Sequence, residues 1–203
     1  LLLFPDYNAC LNLGGFANCS MSKSGDVIAY DICAVNTVMN SLAEKKGMPF
    51  DTAGKLAKNG TLIPELFSDL SSLEFYKITS PKSLGIEWVN SIISPLLTKF
   101  NDHKVENILH TYARHVSLEI SKNFSKNQHI LVTGGGAKNL FLMSLLKTDC
   151  LATLFLPEEK LIDFKEALIF GFLGVLRVRN EVNCLATVTG ASENHSSGNI
   201  FYS

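Results

Sequence analysis

The sequence predicts an α/β fold in which a mixed sheet is flanked by helices. Two observations support this prediction. Three short strand patterns follow one another within residues 11–30, and two more come after a long helical region. Between them apolar residues recur at helical spacing, and 46% of all residues are hydrophobic, which is enough to form a core.

The first three strand patterns surround a bend and end at an acidic residue. Residues 11–13 alternate between apolar and polar, and residues 16–21 continue as a second strand after a diglycine bend. After a Ser-Gly-Asp turn, residues 27–30 predict a third strand that places Asp31 at its carboxyl end.

This arrangement suits a phosphate site with a base. Gly14 and Gly15 let backbone N–H groups approach phosphate oxygens, and the Asp31 carboxylate can take a proton from a nucleophile. An ordinary interpretation stays open, since diglycine bends are common and an Asp there can be a turn residue or a helix cap.

Helical patterns fill the middle of the chain. They cover residues 33–47, 56–59, 62–70, 87–100 and 104–124. Asp51 is expected to cap the second helix, and Pro95 to interrupt the fourth. His110 and His115 lie on or beside the apolar face of the last helix, where we expect surface or boundary residues rather than metal ligands.

A loop over residues 80–85 has two interpretations. Loops rich in Ser, Pro and Gly are mostly connectors, and this one favours that role. Alternatively, Lys82 and Ser83 are held by the proline and glycine so that they contact an anionic or hydroxylated ligand.

The second informative stretch is a strand, a glycine loop and a helix. Residues 129–133 form an apolar strand that runs into Gly134, Gly135 and Gly136, and then through Asn139 into a helix over residues 140–146. Glycines admit a ligand against the backbone, and the helix dipole favours anions. The loop is neither G-x-G-x-x-G nor a Walker loop, so alone it indicates a nucleotide site only moderately.

The carboxyl-terminal region predicts a strand, a long helix and a loop-like tail. The strand covers residues 151–156. Asp163 and Glu166 form a capping-box pattern at the start of a helix that reaches Arg179. Residues 167–176 are apolar on all sides, which predicts a helix buried on most sides, and a short strand is expected at the end of the tail.

Composition limits the classes of partner. The 203 residues fit one large domain or two small ones, and 18 basic against 19 acidic residues give a net charge of −1. Because no basic stripe is visible, we expect no nucleic-acid partner. The longest strongly apolar run, residues 167–175, is far shorter than the roughly 20 residues that span a bilayer, so no membrane segment is expected.

The cysteines and the first residues indicate compartment and context. Five cysteines without C-x-x-C spacing predict reduced thiols in the cytoplasm and neither disulfides nor a zinc site. Residues 1–5 lack an initiator Met and a basic region, so they do not resemble a signal peptide and suggest a chain entered in mid-fold.

Six motifs resemble the C-terminal half of the anhydro-N-acetylmuramic acid kinase family, in the same order and over nearly the whole chain. They are L-N-L-G-G-F-A-N (11–18), Y-D-I-C-A-V-N (30–36), P-K-S-L-G (81–85), V-T-G-G-G-A-K-N (132–139), K-E-A-L-I-F (165–170) and V-T-G-A-S (188–192). The resemblance implies a ribonuclease-H-like lobe of the sugar kinase, heat-shock chaperone and actin ATPase superfamily, whose two lobes close over a nucleotide.

The resemblance also implies a reaction and its participants. Mg²⁺-ATP phosphorylates O6 of 1,6-anhydro-N-acetylmuramic acid while water opens the 1,6-anhydro ring, a step of cytoplasmic cell-wall recycling. Asp31 matches the base that accepts the proton of water. The implied nucleotide contacts are Gly14, Gly15, Asn18, Gly134, Gly135, Gly136 and Asn139, and the implied sugar contacts are Asn36, Lys82, Ser83 and Glu166. A homodimer is left open.

Two departures from the family pattern matter. Ile-Cys-Ala-Val follows Asp31 where many members have Thr-Gly-Pro-Gly, so the local turn must differ. The first phosphate loop of the family, G-T-S-x-D-G, occurs nowhere in these residues, so an N-terminal lobe is expected as a partner. Two other functions stay open: a non-catalytic nucleotide- or partner-binding module, and an acetate-kinase-like phosphotransferase that would leave 81–85 and 188–192 unexplained.

Overall fold

The computed structural model describes residues 1–79 and 81–201, in which five strands form one sheet. The strands are β1 (Ala9–Leu13), β2 (Phe16–Lys23), β3 (Asp26–Ala34), β4 (His129–Thr133) and β5 (Thr153–Phe155). In the order β3-β2-β1-β4-β5, the first three strands form an antiparallel meander, and β4 and β5 run parallel to β1. The predicted mixed sheet is confirmed.

Helices connect and cover these strands. They are α1 (Asn36–Glu44), α2 (Lys55–Lys58), α3 (Pro64–Ser71), α4 (Ile86–Trp88), α5 (Ser94–Thr98), α6 (Val105–Ser121), α7 (Leu140–Asp149), α8 (Glu159–Val178) and α9 (Ala186–Thr189). A π-helical turn, Val89–Ile93, joins α4 to α5 without a break, and Pro95 follows it as the second residue of α5. At the expected interruption the helical run therefore changes from α-helical to π-helical geometry. Asp51 accepts the N–H groups of Leu56 and Ala57, which confirms it as a cap.

The core lies between one face of the sheet and α6. Leu11 and Leu13 of β1 are fully buried there with Tyr112 of α6. The Tyr112 hydroxyl donates to the Ala34 carbonyl at 2.9 Å, which fixes α6 against the end of β3. α8 lies over the opposite face, so a cleft rather than a packed layer separates it from the sheet.

The predicted helix over residues 33–47 begins later, at Asn36, and ends at Glu44. β3 continues through Ile32, Cys33 and Ala34, which are buried, and Ala34 still pairs with Phe16 of β2. Pairing with β2 therefore outweighs the helical spacing of the apolar residues that follow.

The prediction that residues 167–176 are buried on most sides is wrong for the described chain. Leu168, Phe170 and Val175 are 43%, 71% and 54% exposed, and a Cβ at Gly171 would meet no atom within 4 Å. One face of α8 lines the cleft, while its outer face carries an apolar stripe without a covering element among the described residues.

The tail differs from prediction in one respect. Up to residue 201, where the described chain ends, it contains the short helix α9 and an isolated bridge between Cys184 and His195 instead of a terminal strand. None of the helices in the described ranges combines the length and apolar character needed to cross a membrane.

Candidate functional site

A row of four polar residues crosses the cleft face of the sheet. Asn12 of β1 pairs with Asn18 of β2 and, on its other side, with Thr133 of β4. Asn18 pairs in turn with Asp31 of β3. Residues directly opposite each other in a sheet project to the same face, and all four line one cleft of about 830 Å³. We call them the polar row.

A β-bulge decides that Asp31 belongs to this row. Ala17 pairs with Cys33 and Asn18 with Asp31, so Ile32 is an extra residue in β3. In a regular strand Asp31 and Cys33 would share a face, and Cys33 is fully buried against the core. The inserted residue reverses the alternation and turns Asp31 to the cleft instead.

The sequence suggested that Asp31 lies at the end of its strand or caps a helix. Neither is the case. It lies three residues before the end of β3, and the residue preceding α1 is Val35, which makes no side-chain capping bond. The Asp31 Oδ2 atom accepts the Leu84 N–H at 2.8 Å and the Ser83 hydroxyl at 3.4 Å.

The segment Lys82–Leu84 acts as a strap along the edge of β3. The Asp31 N–H donates to the Lys82 carbonyl at 3.0 Å, so strap and strand are joined by both main-chain and side-chain bonds of Asp31. Ser83 therefore lies beside the predicted base. Of the predicted loop 80–85, Ser80 lies outside the described residues.

The ammonium group of Lys82 is engaged with protein groups. It donates to the Phe75 carbonyl at 3.1 Å and lies 4.4 Å from the centre of the Phe75 ring, and burial lowers its pKa. This loop is more than a simple connector, because the strap is bonded to Asp31. The Lys82 side chain, however, bonds to protein groups and anchors the strap.

The diglycine bend joins β1 to β2 beside the start of α1. The Gly15 carbonyl accepts the N–H groups of Val35 and Thr37 at 2.8 and 3.2 Å. Asn36, the first residue of α1, donates its side-chain N–H to the Leu13 carbonyl at 3.2 Å. Gly14 and Gly15 thereby position the first turn of α1, and Gly15 is exposed.

The second glycine loop forms a 3-10 turn, Gly135–Lys138, at the carboxyl end of β4. Gly134 has a φ of +86°, and a Cβ there would meet the Leu13 carbonyl at 2.7 Å. Gly136 is buried against Leu13, whereas Gly135 is exposed and has room for a Cβ. Within the loop, the Ala137 N–H donates to the Gly134 carbonyl at 3.0 Å.

Asn139 caps α7. Its side-chain oxygen accepts the Leu142 N–H at 3.0 Å, and its own N–H donates to Gly136. Asn139 was predicted as a nucleotide contact, and the capping bond uses its side-chain oxygen. Gly135 is the exposed glycine of this loop.

Sequence reasoning missed Lys165 on α8, as it missed Asn12 and Thr133 of the polar row. Its ammonium donates to the Asn12 side-chain oxygen and, at 3.0 Å, to the Thr133 hydroxyl. Burial lowers the pKa of this ammonium. The K-E-A-L-I-F motif contains Lys165 next to the predicted Glu166, but nothing in the sequence showed which residue of the helix points to the sheet.

The predicted capping box of α8 is wrong. The helix begins at Glu159 after Glu158, so Asp163 lies within it and pairs with Lys138 at 2.7 Å. Glu166 is exposed and does not line the cleft. Its predicted contact with the sugar therefore rests on the resemblance alone.

The mixed five-stranded sheet with its helices has the fold of actin-like ATPases. Two solved structures share this fold. The activator of the 2-hydroxyisocaproyl-CoA dehydratase from Clostridium difficile with bound ADPNP has a TM-score of 0.50 and 15% identity, over 89% of this chain and 65% of that chain. Component A of the Acidaminococcus fermentans (R)-2-hydroxyglutaryl-CoA dehydratase has a TM-score of 0.50 and 16% identity, over 82% and 60%.

The chain belongs to the anhydro-N-acetylmuramic acid kinase family, which matches residues 4–203. Curated kinases of this name from Actinobacillus pleuropneumoniae serotype 5b and Vibrio cholerae are 36% and 30% identical, over 94% and 95% of this chain. One from Bacillus cereus is 27% identical over 98%. The chain spans only about 55% of the length of the first two relatives.

Proposed function

We propose that this chain is the C-terminal lobe of an ATP-dependent kinase that opens the 1,6-anhydro ring of 1,6-anhydro-N-acetylmuramic acid and phosphorylates O6. The product is N-acetylmuramic acid 6-phosphate, and the reaction is a cytoplasmic step of cell-wall recycling. The observation that carries the proposal is the position of Asp31, which the bulge turns to the cleft and the strap holds there.

Asp31 acts in this proposal as the general base. Water is a poor nucleophile, so the attack at C1 needs an acceptor for its proton. Among the described residues, the Asp31 carboxylate accepts two hydrogen bonds from the strap, and both are made to Oδ2. Oδ1 is thereby left to accept the proton of the water, and the strap fixes the direction in which Oδ1 points.

The cleft suits a bound Mg²⁺-ATP in its donor groups. Within the cleft, Asn12, Asn18 and Thr133 offer amide and hydroxyl groups. Gly135 is exposed outside the residues that line the cleft, and it admits close approach at the predicted adenosine-side loop. Within residues 1–79 and 81–201 no three His, Cys, Asp or Glu side chains gather at one point, and Mg²⁺ carried by phosphates needs only one or two carboxylates. When bound, Mg²⁺-ATP supplies the phosphoryl group and neutralises its developing charge.

An N-terminal lobe completes the cleft in this proposal. The curated relatives are nearly twice as long as the segment they share with this chain, and the G-T-S-x-D-G phosphate loop is absent from these residues. The outer face of α8, where Phe164, Leu168 and Val178 are 63%, 43% and 75% exposed, provides an apolar surface for such a partner. This chain together with that lobe is called the two-lobed enzyme below.

The proposal is tested by measuring ADP release from ATP with 1,6-anhydro-N-acetylmuramic acid. We expect sugar-dependent turnover by the two-lobed enzyme and negligible turnover by residues 1–203 alone, because half of the phosphate contacts are then absent. Nucleotide binding without sugar-dependent turnover in the two-lobed enzyme would favour the alternative, a non-catalytic binding module. Rapid turnover by the isolated chain would contradict the requirement for a second lobe.

Substitution of Gly135 tests the nucleotide loop. In the two-lobed enzyme, Gly135→Val is expected to raise the KM for ATP about tenfold, equivalent to about 1.4 kcal/mol, because branched methyl groups would occupy the approach of the ligand. The melting temperature should hardly change, since the nearest atom to a Cβ there is the Asn36 side-chain nitrogen at 3.9 Å.

Gly136→Val is the matched comparison. A Cβ at Gly136 would lie 2.8 Å from the Leu13 Cβ, so this variant should lose thermal stability. If Gly135→Val melts as early as Gly136→Val, or leaves the KM for ATP unchanged, the assignment of this loop to the nucleotide is wrong.

A further inference from the structure

Lys165 reaches from α8 across the cleft to the polar row. Its ammonium donates to the Asn12 side-chain oxygen and to the Thr133 hydroxyl, which lie on neighbouring strands at the centre of the sheet. An ammonium group has three N–H donors, so these two bonds leave one N–H for a further acceptor in the cleft.

The charge of Lys165 has no carboxylate partner among the described residues. The ion pairs of lysines there involve Lys46, Lys77, Lys122 and Lys138. Glu166, the next residue, is exposed, and Asn12 and Thr133 are neutral. Holding a half-buried cation against neutral groups costs free energy that an anion at the same place would return.

The position of Lys165 excludes direct contact with the reacting water. Its two partners lie on β1 and β4, whereas Asp31 lies on β3, two strands beyond β1. With a strand spacing of about 4.8 Å, the ammonium lies on the order of 10 Å along the sheet from the carboxylate of Asp31. This separation suits a charged group at the far side of a bound sugar or along a polyphosphate.

We propose that Lys165 binds an oxyanion of a ligand in the cleft, with the Asn12 and Thr133 side chains holding the ammonium in place. Two sources supply such an anion under the proposed function, on which this inference rests: the carboxylate of the acidic sugar and a phosphate of the nucleotide. Lys165 is thus a binding residue that selects for a negative charge, and Asp31 stays the only proposed base.

The test measures dissociation constants by calorimetry in the two-lobed enzyme with Lys165→Met, Lys165→Arg and Lys160→Met. The ligands are 1,6-anhydro-N-acetylmuramic acid, 1,6-anhydro-N-acetylglucosamine, which lacks the acid, and ADP. Methionine keeps the length of the side chain and removes the charge. Lys160 is the matched control, since it is an exposed lysine of the same helix outside the cleft.

We expect Lys165→Met to weaken the binding of one anionic ligand about 10- to 100-fold, the range for a charge-assisted hydrogen bond, and Lys165→Arg to restore part of it. Weaker binding of the acidic sugar with unchanged binding of the neutral sugar identifies the carboxylate, and weaker binding of ADP identifies a phosphate. Lys160→Met should change none of these constants.

Other results would overturn the inference. If Lys165→Met binds both anionic ligands within about twofold of the wild type and only melts earlier, Lys165 merely ties α8 to the sheet. The inference also fails if the wild type binds neither anion. Because calorimetry needs no turnover, ligand binding without phosphoryl transfer would count against the proposed reaction while the effect of Lys165 stayed measurable.

Discussion

In the two-lobed enzyme, Asp31→Asn is expected to lower kcat at least about 100-fold, or about 2.7 kcal/mol of barrier. Asparagine has nearly the shape of aspartate, and its oxygen can still accept the Leu84 N–H that now ends on Oδ2. It cannot take a proton from water. The loss should therefore fall on kcat, with the KM for ATP and the melting temperature little changed.

Steady-state kinetics and a thermal melt of the same preparation check this expectation. Asp26→Asn is the matched control, since Asp26 is an exposed residue at the start of the same strand. A decrease of less than about tenfold for Asp31→Asn would show that the residue is not the base. In that case its bonds to the strap would be structural and the proposed mechanism would need another acceptor.

The second large effect concerns stability in acid, and it arises at a buried histidine of α6. His115 is fully buried, and neither ring nitrogen has a hydrogen-bond partner among the described residues. Its ring lies 4.9 Å from that of Tyr76 and 6.1 Å from that of Tyr112. Burial lowers the pKa of His115 to about 3, so the ring is neutral in the folded protein at pH 7.

The neighbouring carboxylate, Glu119, does not reverse the lowering of the His115 pKa. Glu119 Oε1 lies 4.0 Å from His115 Nδ1 but only 2.6 Å from the ammonium of Lys122, which is its true partner. An unfolded histidine has a pKa near 6.5, so the unfolded chain takes up the proton first as the pH falls. The contribution of His115 to stability is therefore complete above about pH 6.5 and is lost progressively towards pH 3.

His115→Phe should remove this dependence. Between pH 7 and pH 4 we expect the wild type to lose about 3 kcal/mol more free energy of unfolding than the variant, from the 1.36 kcal/mol per pKa unit that linkage gives. Urea unfolding at several pH values measures it. The carboxylates contribute equally to both proteins, so the difference between them isolates His115.

His103→Phe is the control, because His103 is exposed and its replacement should leave the pH dependence within about 0.5 kcal/mol of the wild type. Parallel pH profiles for wild type and His115→Phe would show that His115 is not held neutral by burial. The sequence predicted a surface or boundary residue at this position, and that prediction is wrong because His115 is fully buried.

Local patterns were sufficient for much of the fold. The alternation in residues 11–13 and the apolar run in 129–133 predicted β1 and β4, and both are confirmed. The spacing along residues 104–124 predicted α6 to within a few residues. These signals work because each strand or helix buries one face, and its period is written in the local sequence.

The features that build the site depend on contacts distant in sequence. The bond between Leu84 and Asp31 spans 53 residues, and that between Lys165 and Asn12 spans 153. No periodicity carries such information, so the strap and Lys165 were not predictable. The bulge at Ile32 is equally hidden, because the register of β3 is set by its partner β2.

The bulge also bears on the departure from the family pattern that follows Asp31. The four residues after Asp31 differ from the glycine-rich family pattern, yet they only continue β3 and lead into α1. The carboxylate is fixed by its neighbours on β2 and the strap, so glycines after it are dispensable for its orientation. The orientation of the carboxylate therefore depends on residues distant in sequence and not on the residues that directly follow Asp31.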